Sequence, residues 1–187
     1  MLDHMVRDIR RPGALGLNAL LLVTVFTLAI VPPQPAGSTM PDAPAPNVLT
    51  PHAPIRINSD GGFNATNGVT VGNGTLWAPW VIEKLEINGT VAGGCIFIGN
   101  TTHHFIVRNC SLHNAEGGYA LPYYSSAGIA VYNSTNGTLF NNTIYNNELY
   151  GIFMESSSNN TIIKNDISGC WVGIHSEYSD DIGTYTN

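Results

Sequence analysis

Charge is what this chain of 187 residues has least of: seven Lys plus Arg and 13 Asp plus Glu make up 11% of it, against roughly 25% in an ordinary soluble domain. Seven basic side chains and a formal net charge of −6 leave no basic face for phosphate, which excludes nucleic acid as a partner. The same scarcity excludes a coiled coil, which needs Ala-, Glu-, Lys- and Leu-rich helices, and a highly charged disordered chain. Cysteine is also sparse. Cys95, Cys110 and Cys170 are an odd set without Cys-x-x-Cys spacing, so neither a zinc site nor a complete disulfide framework is indicated, and buried free thiols are expected. In place of charge stand 20 Asn and 20 Gly, small groups that suit bends.

The one long apolar run lies near the N-terminus. Ala14 to Val31 is an 18-residue stretch broken only by Asn18 and preceded by Arg7, Arg10 and Arg11, a basic region followed by an apolar one. It reads as a signal peptide over 1–38, ending at the small residues Ala36 and Ser38, or as a signal-anchor that keeps residues 14–31 in the membrane if uncleaved. Either outcome exports the remainder, since arginines on the N-terminal flank stay in the cytoplasm. From Pro32 to Pro54 eight of 23 residues are proline, a semi-extended spacer, with the linker assigned to 39–57.

The rest is a repeat. Gly151 to Asn165 aligns with Gly128 to Asn142 over fifteen positions without a gap, at an offset of 23. Gly173 to Asn187 follows at an offset of 22, and Cys95 to Asn109 precedes at 33, the excess being an insertion around Ala115 to Ser126. A period in this range signals a solenoid. Within each repeat Ile96/Ile98, Ile129/Val131, Ile152/Met154 and Ile174/Ser176 share one face at period two, while Phe97, Ala130, Phe153 and His175 point the other way. Ile106, Leu139 and Ile162 mark a second strand, and Leu112, Ile144 and Ile167 a third. Strands of equal phase separated by more than a dozen residues stack in parallel with right-handed connections. The predicted fold is all-β, a right-handed parallel β-helix: a capping region and first coil over 58–92, and repeats over 93–187. The repeat stops on Asn187 without a polar cap, which predicts further coils or another chain at that edge.

Asn109, Asn142, Asn165 and Asn187 fall at one point of the repeat. Asparagine is a poor strand residue but tolerates left-handed geometry, and its amide can bond to its equivalent about 4.8 Å along the stack. The column is predicted to be an internal ladder. The alternative is a row of exposed ligand-binding amides.

The pattern Gly-Ile-x-Val-x-x-Ser-x-Asn-x-Thr-Ile-x-x-Asn, as it stands at Gly128 and Gly151, resembles the right-handed β-helix repeats of the NosD-like family, within the pectate-lyase-like superfamily. The leader from Asn67 to Ile87, followed by Ile98-Gly-Asn-Thr-Thr102, looks like the segment that opens such helices in archaeal surface proteins. The resemblance covers about residues 58 to 187. That superfamily includes polysaccharide lyases, epimerases and adhesins, and the periplasmic protein linked to copper-site maturation of nitrous oxide reductase. Fold alone selects none of these.

Few side chains carry chemistry. A lyase needs a base and a cation, commonly Ca²⁺. Arg108 and Lys164 are aligned to one column with Asn141 between, and Glu155 and Glu177 to another, which stacks two carboxylates roughly 5 Å apart. Such a pair is either a Ca²⁺ site or a solvated acidic edge. His103, His104 and His113 fall in one coil, as ligands for copper or as polar turn residues. Tyr119, Tyr123 and Tyr124 of the insertion, with Tyr132 and Phe153 on the adjoining outer face, are candidates to stack on sugar rings or to fold the loop onto the wall. Nine Asn-x-Ser/Thr acceptors are present, of which Asn133 and Asn141 are the candidates for exposed glycosylation sites.

The expectation is an exported, non-catalytic β-helix module at the cell surface or in the periplasm, structural or bound to polysaccharide or cell-envelope glycan, with no cofactor. The alternatives are a polysaccharide lyase, epimerase or hydrolase using the charged columns, and a NosD-like copper-related protein.

Overall fold

The computed structural model describes residues 48–90, 93–117 and 126–185. The segment 14–31, Tyr119, Tyr123, Tyr124 and Asn187 lie outside them. Among the described residues no helix is long and apolar enough to cross a membrane.

Strands follow one another around a three-sided coil. After β1 (Thr50–Pro51), which stacks under β5, the first coil holds β2 (Ile55–Ile57), β3 (Val69–Val71), β4 (Trp80–Glu83) and β5 (Leu85–Asn88). The next comprises β6 (Gly94–Thr101), β7 (Phe105–Arg108) and β8 (Ser111–His113), and the one after it β9 (Ala127–Ser134), β10 (Gly137–Phe140) and β11 (Thr143–Tyr145). Then come β12 (Tyr150–Glu155), β13 (Thr161–Ile163) and β14 (Asp166–Ser168), and finally β15 (Val172–Glu177) and β16 (Gly183–Tyr185). Stacking produces three sheets: a first of β15-β12-β9-β6-β2, a second of β16-β13-β10-β7-β4-β3, and a third of β14-β11-β8-β5-β1. Every pairing is parallel except β3 with β4. This is the parallel β-helix expected from the repeat. Its start differs from expectation: β1 and β2 lie inside 39–57, the segment that proline content assigns to a spacer. Ile55 and Ile57 alternate around Arg56 and pair with Ile96 and Ile98, a signal too short to stand out among prolines.

The core is a set of columns. Ile96, Ile129 and Ile152 stack in register, as do Ile98, Val131 and Met154, and all six are buried. In the last coil Ile174 continues the first column at 43% exposure. At the opposite end Phe63, between two short 3₁₀ turns (Asp60–Gly62 and Ala65–Asn67), stacks on Trp80 at 5.9 Å and meets Phe105 at 6.0 Å, covering the core.

Corners are where Asn matters. Between the second and third sheets Lys84, Asn109, Asn141 and Lys164 all have left-handed backbone, φ 52° to 56°, which Asn tolerates better than most residues. The next residue turns inward. Asn142, 1% exposed, accepts from the backbone N–H of Cys110 and donates to Asn165 Oδ1 at 2.9 Å and to Val107 O at 3.0 Å. The internal ladder therefore contains Asn142 and Asn165 but not Asn109, which sits in the outer, left-handed column, where its Oδ1 accepts from Asn141 Nδ2 at 2.8 Å. The reason is one extra residue at the preceding corner. Thr101 pairs with Ser134 and Phe105 with Gly137, so three residues (Thr102 to His104) fill the corner in one coil and only two (Thr135 and Asn136) in the other. The gap-free alignment slips there by one. The same slip puts Val107, not Ile106, in the column of Leu139 and Ile162. Leu112, Ile144 and Ile167 stack as expected.

Candidate functional site

The outer face of the first sheet carries the chemistry that the core cannot. Alternation turns Phe97, Ala130 and Phe153 away from the core, yet they are 5%, 1% and 8% exposed. With Ala127 they form a second small apolar cluster, against which Tyr132 and Tyr150 pack. Toward the last coil this cluster becomes an aromatic platform. Phe153 and His175, paired in register, stack with ring centroids 5.6 Å apart and planes 3° apart. Tyr150 closes the triangle at 5.0 Å from Phe153 and 5.2 Å from His175. Beside it Leu149, Tyr150, Trp171, Val172 and His175 line a groove of about 260 Å³. Trp171 is 74% exposed. An indole left in water on the rim of a groove has apolar faces to offer a flat partner.

Glu155 and Glu177 adjoin the platform. They pair in register as predicted, one coil apart, and His175 Nε2 lies 3.7 Å from Glu177 Oε2. Burial, then the charge of Glu177, holds the Glu155 carboxyl above its ordinary range, because both disfavour a second anion. The two carboxylates project from one outer sheet face, in adjacent coils.

A family model described as a right handed beta helix region matches residues 94–187. The chain belongs to this family. Its match begins at Gly94, the first residue of β6, where the coils become regular. Neither the curated proteins nor the solved structures contain a match to the chain. Family membership explains the core columns and corners and leaves the outer face to be argued on its own chemistry.

The structure separates the remaining candidates of this β-helix chain. Arg108 and Lys164 do not share a column: Arg108 pairs with Phe140, which pairs with Ile163, so Lys164 falls one step further, with Asn141. The one-residue slip is again responsible. Arg108 Nε donates to Glu83 Oε2 at 2.7 Å, which commits its charge, and Lys164 is exposed. His113 is likewise apart from His103 and His104. His103 belongs to the corner before the second sheet, where its Nδ1 accepts from Trp80 Nε1 at 3.1 Å and its Nε2 lies 3.6 Å from Asp60. His104 donates its backbone N–H to Gly74 O. His113, on the third sheet, stacks on Tyr145 at 4.9 Å with Glu86 at 3.7 Å. Among the described residues no three His, Cys, Asp or Glu side chains come together to hold a metal ion.

Asn133 and Asn141 are exposed with left-handed backbone, and the Nδ2 of each donates to the equivalent asparagine one coil earlier, Asn100 and Asn109, at 2.8 Å. A glycan on either would displace an outer-ladder bond. Cys95, Cys110 and Cys170 are free. Burial pushes the Cys95 thiol up to about 12 and Cys110 to about 11.

Tyr150 and Trp171 escape a reading based on the repeat, because they occupy positions held by Ala127 and Leu149 in neighbouring coils. The available signal is size. A column that runs from Ala to Tyr on an outer face enlarges where nothing in the core requires it.

Proposed function

We propose that this chain is an exported, non-catalytic, carbohydrate-binding β-helix module whose glycan platform is Tyr150, Trp171 and His175 above Phe153. The exposed Trp171 on the rim of the 260 Å³ groove carries the reading: sugar rings present flat C–H faces that stack on indole and phenol, while their hydroxyls keep hydrogen bonds to water and nearby carboxylates. Support for export comes from the basic flank and apolar run of residues 7–31. Support for a non-catalytic role comes from the dispersal of the basic column: Glu83 engages Arg108, and Lys164 lies one step further along. The experiment is a glycan array with the full chain and with Trp171→Ala, followed by analysis of soluble products. Binding should weaken by at least about tenfold in the variant, the loss of roughly 1.4 kcal/mol or more expected for one stacked aromatic. Unsaturated or reducing-end products from any polysaccharide overturn the non-catalytic assignment.

A further inference from the structure

Resting on that platform, charge narrows the ligand. Across all five strands of the first sheet the only Lys or Arg is Arg56, at the far end in β2. Its guanidinium donates to the carbonyls of Ile55 and Gly94 at 2.7 and 2.9 Å. The platform end carries Glu155 and Glu177, stacked in adjacent coils, with His175 between the aromatic rings and Glu177. Two carboxylates in one column repel unless a cation stands beside them. Glu155 and Glu177 end the strands whose first residues, Tyr150 and Val172, line the groove, so with one sugar of a chain seated on Trp171 and Tyr150 the carboxylates meet sugars further along it. A neutral glycan leaves their repulsion in place, a uronate adds a third anion, and an amino sugar supplies the missing positive charge. We infer that this platform selects glycans of amino sugars bearing a protonated amine and disfavours uronates, with Glu177 and Glu155 as the selecting groups.

The test uses the full chain and three probes: a glucosamine hexamer, cellohexaose and a galacturonic acid hexamer, titrated by calorimetry near pH 6, where the sugar amine is charged. The glucosamine hexamer should bind about tenfold more tightly than cellohexaose at low salt, the size of effect one screened charge pair gives, and the galacturonic acid hexamer weakest. That preference should shrink at about 0.5 M salt and in Glu177→Gln, while the same charge change Glu86→Gln on the third sheet leaves it intact. Trp171→Ala should weaken all binding without altering the preference. Equal binding of glucosamine and cellohexaose, tighter binding of the galacturonic acid hexamer, or equal effects of Glu177→Gln and Glu86→Gln overturns the charge selection and leaves the aromatic platform standing. Absence of binding to all three probes, or binding untouched by Trp171→Ala, overturns the platform and the selection with it.

Discussion

Replacing Asn142 by alanine removes the central rung of the inner corner ladder. The amide accepts from Cys110 N–H at 3.1 Å and donates to Val107 O and Asn165 Oδ1 at 3.0 and 2.9 Å, at 1% exposure. Alanine leaves the Cys110 N–H buried without an acceptor and takes a donor from two oxygens. An orphaned buried donor costs about 1–3 kcal/mol and each of the two lost neutral bonds roughly 0.5–1.5 kcal/mol, so a loss of about 2–6 kcal/mol is expected. That is a large share of a stability of about 5–15 kcal/mol. The assay is urea unfolding followed by circular dichroism, where an m-value near ~2 kcal/mol/M converts this loss into a midpoint shift of about 1–3 M. The comparison is Asn109→Gly. Asn109 has the left-handed backbone that glycine adopts freely, and the only rung it supplies is the outer bond from Asn141 Nδ2, so its loss should cost no more than about 1 kcal/mol. Equal shifts for the two variants, or a shift below about 0.3 M for Asn142→Ala, would refute the assignment of inner and outer columns.

Two further outcomes follow from burial. Glu155 has a folded-state pKa raised above its ordinary 4.5 by desolvation and by Glu177, so its ionised form costs stability at neutral pH. The cost fades as pH falls through the folded value and is gone below the unfolded one. Glu155→Gln should therefore raise the unfolding midpoint at pH 7 and leave it unchanged near pH 4; destabilisation at pH 7 would contradict the cause given. With Cys95 and Cys110 pushed up to about 12 and about 11, almost no thiolate exists at pH 8. Iodoacetamide should label Cys170, the one cysteine that is only half-buried, and mass spectrometry of the native chain should show a single adduct; rapid double or triple labelling would contradict the burial.

The fold is largely legible because solenoid coils repeat the same physics. Each inward Ile, Val or Met recurs at the coil period, and the columns Ile96–Ile129–Ile152 and Leu112–Ile144–Ile167 follow from spacing alone. The misassigned positions, Asn109, Ile106 and the Arg108/Lys164 pairing, share one cause: the corner at Thr102 to His104 holds one residue more than its successor. Corners accept such insertions because the left-handed residue and the ladder re-form one step later. In the sequence the long insertion absorbs the whole length difference between these coils and hides the single residue gained at the corner. Of the candidate site, Phe153, Glu155 and Glu177 were visible as column members, whereas Tyr150 and Trp171 acquire meaning only from what surrounds them.

By itself the sequence determined the coil: period-two alternation demands strands, the spacing between like strands demands parallel stacking, and Asn, Gly and Ser mark the corners. These are local requirements, repeated until they become global. Tertiary structure decided which face each coil shows to solvent beside its neighbours. Phe153, Tyr150 and His175 come from two strands, Trp171 from the corner before the second, and Glu155 and Glu177 from adjacent coils. Their proximity depends on register between coils, which a single extra residue can shift, and no spacing along the chain encodes it.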